Sequence, residues 1–291
     1  MKSMSQHHSE AFLAKIRRVG RMINLLAKVS PALAGRAAFR LFCTPRKQGL
    51  REEDRRFLDT ARQETLTLEN IAIRTYTWQP AATAQGRSVV FLHGWESNSG
   101  RWKKYIRELV SAGFTVRAFD APGHGLSGGQ FINLPLFSRV LTAFMKETET
   151  PYALIGHSLG GAAVVMSMAA FGAPRVQKAV VMGSFAESAR VLRDFGALLG
   201  LDECVVAAVN REIIRQSGIS IEAYSVEGKA ALLTDVRGLV IHDRDDDVAP
   251  LEEGKAIAKA WRARLIETEG LGHRMQSQVV AEVVREFLEE A

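Results

Sequence analysis

The stretch Tyr152-Ala-Leu-Ile-Gly156-His157-Ser158-Leu159-Gly160-Gly161 decides how this chain is read. Tyr152 to Ile155 is a short apolar run, with the length and character of a strand buried on both faces. It runs straight into Gly-His-Ser-Leu-Gly, and the residues from Ala162 to Ala170 then read as a helix. A serine at such a strand-to-helix elbow sits on a strained backbone, with its hydroxyl presented at the C-terminal edge of a sheet. Gly156 and Gly160 stand two residues either side of Ser158, where side chains would collide with the tight turn. The helix beginning beside Ser158 points its N-terminus, which favours negative charge, at the same place.

Working outward, Thr65 to Glu69 and Ile71 to Trp78 read as an antiparallel hairpin about Asn70, and Pro80 to Gly86 as a loop of small residues. Ser88 to Leu92 is another strand of doubly buried character. Trp102 to Ala112 has helical spacing and stops at Gly113. Phe114 to Phe119 is a strand, Asp120 to Gly129 a loop with four glycines, and Phe131 to Lys146 a helix. Beyond the elbow, strands are expected at Val176–Met182, Gly238–His242 and Arg264–Glu267, and helices at Leu251–Trp261 and Gln276–Glu289. This alternation demands right-handed crossovers and a mostly parallel central sheet with helices on both faces, an α/β architecture. Ser184 to Thr234 breaks the rhythm with two or three helix-like stretches and no buried strand, and reads as a small helical cap inserted over the strand ends. The expected organisation is a basic amphipathic helical extension over 1–60, a core over 61–183, the cap over 184–234 and the rest of the core over 235–291.

A chain of 291 residues can bury one large core, with or without a small appended subdomain. Its net charge of +6 is mildly basic, but no basic-aromatic module appears, which argues against a nucleic-acid partner. Cys43 and Cys204 form no C-x-x-C or Cys/His cluster. That argues against a disulfide framework and a zinc site, and fits a reducing, cytoplasmic setting. Between Lys15 and Arg51, ten Lys and Arg residues interleave with apolar ones. Lys28 and Arg36 interrupt any run long enough for a signal peptide or a membrane span. Amphipathic helices packed on the domain are the favoured reading, and a basic helix on an anionic membrane surface is the other. His7 and His8 are assigned no chemistry.

A serine hydroxyl is a poor nucleophile until a base takes its proton, and the base needs an orienting acid. Leu271-Gly272-His273 lies directly before the last helix. Ile241-His242-Asp243-Arg244-Asp245-Asp246-Asp247-Val248-Ala249-Pro250 follows a buried strand. With these two loops, His93-Gly94-Trp95 and Asp120-Ala-Pro-Gly123-His124-Gly125-Leu-Ser127 complete four blocks at strand ends around the elbow. In that order the chain resembles the α/β-hydrolase fold proteins of the bacterial esterase and lipase type, over residues 88–290.

The resemblance implies Ser158 as nucleophile and His273 as general base. In the family pattern His-Gly-x-x-Asp-x-x-x-Pro the acid falls at Asp246, four residues from both His242 and Pro250, with Asp245 the next candidate. Asp243 stands where the pattern has Gly. The remaining aspartates are expected to form a solvated acidic loop whose mutual repulsion raises some carboxylate pKa values. The oxyanion hole would use the backbone N–H groups of Trp95 and Leu159. His93 would shape the oxyanion loop and His242 would brace the acid loop. His124, Gly123, Gly125 and Ser127 would form a structural turn. The implied activity is hydrolysis of a small-molecule carboxylic ester through an acyl-enzyme, needing no cofactor and no metal. The apolar residues of the cap, among them Phe185, Leu192, Phe195, Leu199, Val205 and Ile213, suit an apolar substrate. Two alternatives stand beside this: a membrane-surface monoacylglycerol or lysophospholipid hydrolase, and a non-catalytic hydrolase-fold binding protein.

Overall fold

In the computed structural model, which describes residues 10–81, 86–172 and 176–290, the chain opens with helices α1 (Glu10–Val29), α2 (Pro31–Phe42) and α3 (Glu52–Leu58). There follow β1 (Arg62–Leu68), β2 (Ile71–Trp78), β3 (Ser88–Leu92), α4 (Lys103–Ser111), β4 (Thr115–Phe119), α5 (Leu134–Glu147), β5 (Ala153–His157), α6 (Leu159–Ala170) and β6 (Lys178–Met182). Then come α7 (Ser188–Leu199), α8 (Glu203–Ser217), α9 (Val226–Ala230), β7 (Arg237–Asp243), α10 (Leu251–Trp261), β8 (Arg264–Thr268) and α11 (Gln278–Glu289). His7, His8 and most of the Pro80–Gly86 loop lie outside the described residues.

The eight strands form one sheet in the order β1-β2-β4-β3-β5-β6-β7-β8. The strands from β4 to β8 in that order are parallel, while β2 pairs antiparallel with both β1 and β4. Glu69 and Asn70 turn the β1–β2 hairpin with φ of 51° and 59°. Two successive left-handed residues match the right-handed twist of the strands they join. β3, β5 and β6 are buried along their whole length, as their unbroken apolar runs require. On one face Phe91, Ile155, Val180 and Ile241 share a core with Trp102, Tyr105, Val284 and Phe287 from α4, its preceding turn and α11. On the other, α6 lies so close that a Cβ on Gly161 would be 3.0 Å from Val181. Lys178 is buried in β6. Its ammonium donates to the carbonyls of Phe287 (2.8 Å) and Glu290, where the C-terminal end of α11 favours a cation.

Helices α5 and α6 start furthest from where the sequence placed them. α6 begins at Leu159 rather than Ala162, because the elbow serine itself is the residue before the first helical one. α5 begins at Leu134 rather than Phe131, because the Asn133 side chain caps it by accepting from Leu136 N–H (2.9 Å) and Pro135 sits in its first turn.

The sheet belongs to one compact unit, residues 45–186 and 226–291. The second unit joins the segment ending at Thr44 to Glu187–Ser225, so two distant stretches build one helical body. Within it α1 packs on α2 and α7, and α2 on α8. A side chain on Gly20 would overlap the Leu199 carbonyl, and one on Gly35 would come within 2.7 Å of Ala208, so these helices meet backbone to backbone. Asn24 donates to Gly200 O (2.9 Å) and Asp202 Oδ1 (3.0 Å). Leu192, Leu199, Val205 and Ile213 are buried and form this unit's own core rather than an apolar surface for a substrate. The boundaries fall at 44, 186 and 225 instead of 60, 183 and 234. Phe57 and Leu58 of α3 belong to the core of the sheet unit, and Ala186 O accepts from Val226 N–H (2.7 Å) at the mouth of the insertion.

Candidate active site

Ser158 is the single residue between β5 and α6, with φ 54° and ψ −122°. Such a backbone costs a non-glycine residue about 1–3 kcal/mol and persists only where its surroundings enforce it. Here Ser158 N–H donates to Met182 O (2.9 Å), while Ser158 O accepts from Ala162 N–H (3.0 Å) and the Ser184 hydroxyl (2.9 Å). A Cβ on Gly156 would lie 2.6 Å from the Gly160 carbonyl carbon and the Gly161 nitrogen, and one on Gly160 2.5 Å from Leu92 O. Close approach therefore explains both glycines. The Leu159 N–H is the first amide of α6 and has no partner within the helix by geometry.

The loop after β3 comes against this elbow, since a Cβ on Gly94 would be 2.9 Å from Ser158 Cβ. Buried His93 sets its shape. Nε2 accepts from Ala121 N–H (3.0 Å), so the ring hydrogen sits on Nδ1 and is donated to Gly94 O (2.8 Å). Pinning that carbonyl turns the trans peptide so that Trp95 N–H points the opposite way. His124 repeats the arrangement: Nε2 accepts from Glu96 N–H (2.9 Å) and Nδ1–H donates to Pro122 O (2.9 Å). Burial holds both imidazoles below their ordinary pKa and so neutral, as an accepting ring nitrogen requires. The glycine-rich turn is organised by Asp120, whose buried carboxylate accepts from Tyr76 O–H (2.9 Å), Ser99 N–H (2.8 Å) and Leu126 N–H (2.9 Å). Ser127 ties the same turn by donating to Asp120 O (2.6 Å).

The carboxylate of Asp246 is fully buried. Its Oδ1 accepts from Val248 N–H (2.9 Å) and Ala249 N–H (2.8 Å), and His273 Nδ1–H reaches both oxygens at 3.0 and 2.9 Å. That leaves the lone pair of His273 on Nε2, the nitrogen available to take a proton. His242 donates Nε2–H to Ala249 O (2.6 Å) and so fastens the acid loop. Asp245 is exposed and accepts from Gly270 N–H (2.9 Å).

Asp243 departs from expectation. It is not a solvated member of an acidic cluster but wholly buried. Burial pushes its carboxyl upward, yet bonds from Thr268 O–H (2.7 Å) and the amides of Asp245 (3.0 Å), Leu271 (3.1 Å) and Gly272 (3.0 Å) outweigh that and hold it below the usual range. Asp243 thereby ties the acid loop to the segment leading into His273.

On the other side of His273 four successive carbonyls are held by side chains. His157 Nε2–H donates to His273 O (2.6 Å), Arg101 to Arg274 O (2.7 Å), Tyr105 O–H to Met275 O, and Lys104 to Gln276 O (3.2 Å). Arg101 is buried, and desolvation lowers its guanidinium to about 10. Burial first, and then the charge of Arg101, keep His157 well below its ordinary value. Gly183 marks where the pieces converge, because a Cβ there would lie 3.0 Å from Met275, 3.3 Å from Asp246 Oδ2 and 3.5 Å from His157 Nε2. The roles of Asp243, His157, Arg101 and Tyr105 leave no signature in the sequence, since their partners are mostly backbone groups that every residue possesses.

Among known proteins, residues 83–218 match the family model described as serine aminopeptidase, S33. A non-heme haloperoxidase from Rhodococcus erythropolis is 34% identical over 104 residues, 34% of this chain and 37% of that protein. A pimeloyl-[acyl-carrier protein] methyl ester esterase from Vibrio parahaemolyticus is 27% identical over 151 residues, 50% of this chain and 54% of that protein. The chain thus spans from about a third to about half the length of these curated relatives. Among solved structures, Est1E from Butyrivibrio proteoclasticus with bound ferulic acid superposes with a TM-score of 0.62 at 20% identity, covering 77% of this chain and 97% of that one. The bromoperoxidase from Bacillus anthracis gives 0.58 at 17% identity, covering 79% and 100%. At such identities the likeness is one of fold, and with the sheet order and the elbow already described it shows that this chain has the α/β-hydrolase fold.

Proposed function

We propose that this protein is a serine hydrolase of carboxylic esters of apolar character, working through Ser158, His273 and Asp246. The observation that carries the reading is the buried Asp246 carboxylate bonded to His273 Nδ1, in a loop whose first carbonyl is held by the residue next to Ser158. His273 Nε2 takes the hydroxyl proton as Ser158 Oγ attacks the ester carbonyl. The amides of Trp95 and Leu159 stabilise the oxyanion of the tetrahedral intermediate. As the intermediate collapses, the C–O bond of the ester breaks and His273 returns the proton to the leaving alcohol. Water then repeats the sequence on the acyl-enzyme, releasing the acid and restoring Ser158. Asp246 keeps the imidazole in the right tautomer and stabilises its cation. The half-exposed Trp95 ring, beside the elbow, supplies an apolar wall. The likeness to a methyl ester esterase is consistent with a small alcohol as leaving group.

A chain-length series of p-nitrophenyl esters tests this. Wild type is expected to turn over and Ser158→Ala to lose at least about 10⁴-fold. Turnover that survives in Ser158→Ala would overturn the mechanism, and a folded wild type that fails to label with a fluorophosphonate would favour a binding protein instead. A second reading, hydrolysis of monoacylglycerols or lysophospholipids at a membrane, is favoured by an exposed apolar and basic face on α1 and differs in preferring aggregated over monomeric esters.

A further inference from the structure

Helix α1 carries apolar residues over more of its circumference than its packing uses. One side, with Gly20, Ile23 and Ala27 buried, packs within the helical unit. The other carries Val19, Met22, Leu25 and Val29, which are 37%, 70%, 61% and 85% exposed. At 100° per residue these four fall within about one third of the helix circumference, so they form a stripe rather than a scatter. α2 continues the pattern with Leu33, 51% exposed, on the same face as Arg36 and Arg40 one and two turns on. An amphipathic helix packed on a domain needs one apolar face, and burial of Ile23 and Ala27 already accounts for it. The second stripe has no partner among the described residues.

Charge identifies the partner. No Asp or Glu occurs between Glu10 and Glu52, while ten Lys and Arg do. The whole chain has a net charge of +6, so the excess of positive charge lies entirely in this stretch and the remainder is net negative. On α1, Lys15 and Arg18 project from within the exposed stripe and Arg21 and Lys28 flank it, all four exposed. Long basic side chains lay their methylene stems along apolar surroundings and keep their charges in the headgroup layer. No helix among the described residues is long and apolar enough to cross a membrane. A second copy of this chain would bring two such basic faces together, which opposes self-association.

We propose that the exposed face of α1, continued by α2, docks this protein on an anionic lipid bilayer, with Val19, Met22, Leu25 and Val29 entering the interface and the basic residues engaging lipid headgroups. The helix would lie in the plane of the interface rather than span it. This inference stands apart from the ester-hydrolase reading, since it rests on the helical unit alone.

Sedimentation of the full chain with vesicles tests it. Binding to vesicles of about 30% phosphatidylserine in phosphatidylcholine is expected to exceed binding to pure phosphatidylcholine by at least about tenfold, and to fall by about as much when salt is raised to roughly 0.5 M. Met22→Glu combined with Leu25→Glu should abolish binding while leaving turnover of a soluble p-nitrophenyl ester unchanged. Because that pair could disturb folding, Arg18→Ala with Arg21→Ala gives a milder test and should weaken binding several-fold. Met22→Trp should add a blue-shifted emission only when anionic vesicles are present. Equal sedimentation with neutral and anionic vesicles, retention of binding in the Met22/Leu25 variant, or Met22→Trp emission indifferent to vesicles would each overturn the proposal. So would velocity sedimentation in which wild type is a dimer, the Met22/Leu25 variant a monomer and neither binds lipid. Loss of soluble-ester turnover in Ser158→Ala with vesicle binding intact would separate this result from the catalytic one.

Discussion

Asp243 and Asp246 stand three residues apart in one loop and have opposite tasks. Asp246 turns its carboxylate to the imidazole of His273 as well as to two amides of its own loop, whereas Asp243 spends its carboxylate on three amides and a hydroxyl. In Asp246→Asn an oxygen remains for the Val248 and Ala249 amides, but an NH₂ group then faces the histidine. Turnover is expected to fall about 10⁴-fold with the melting temperature nearly unchanged. Asp243→Asn instead presents an NH₂ group to N–H donors in a buried site and should cost about 2–4 kcal/mol of stability. Thermal melts and ester turnover on the same preparations separate the two. The carboxyl of Asp243 lies below its unfolded value, so the stability it contributes is present above about pH 4 and is lost on acidification through the lower folded value. Asp246 was legible in the sequence because its distances from His242 and Pro250 match a loop pattern. Asp243 was not, because a carboxylate satisfied by backbone amides leaves no residue-type signature.

Arg101, Lys104 and Tyr105 sit at the i, i+3 and i+4 spacing that places side chains on one side of a helical segment. That is how the turn before α4 and the first turn of α4 grip three consecutive carbonyls of the histidine loop, with His157 gripping the one before them. Tyr105→Phe and Arg101→Met should each lower kcat about 10–100-fold with little change in KM, by letting the His273 imidazole leave its productive angle. Together they should be less than multiplicative, since both loosen the same loop. Hydrogen exchange at residues 274–277 should rise in step. Unchanged exchange alongside reduced kcat would show that these residues act otherwise. The helical spacing of this segment was readable in advance. What it holds was not, because its acceptors are main-chain oxygens.

At the level of the whole molecule, His93, His124 and His157 are all buried with pKa values below the ordinary one. Below about pH 6.5 the unfolded chain takes up protons that the native state refuses, so stability falls as pH falls. The slope is up to about 1.4 kcal/mol per pH unit for each of them. Urea midpoints at pH 7.5 and 5.5 should differ accordingly, and equal midpoints would contradict the burial of neutral imidazoles. The alternation of apolar strands with helices was enough to foresee the sheet, because a doubly buried strand has a composition of its own. The helical unit was harder to see. Nothing in the faces of α1 and α2 names α7 and α8 as their partners, and contacts such as Gly20 against Leu199 and Gly35 against Ala208 become specific only in three dimensions. That discontinuity bears on synthesis. The N-terminal helices leave the ribosome about 140 residues before the helices that cover them, since residues 45–186 intervene. At about 5–20 residues per second, Ala34, Ala38 and Phe39 wait roughly 7–30 s for the chain that will bury them, far longer than a helix takes to form.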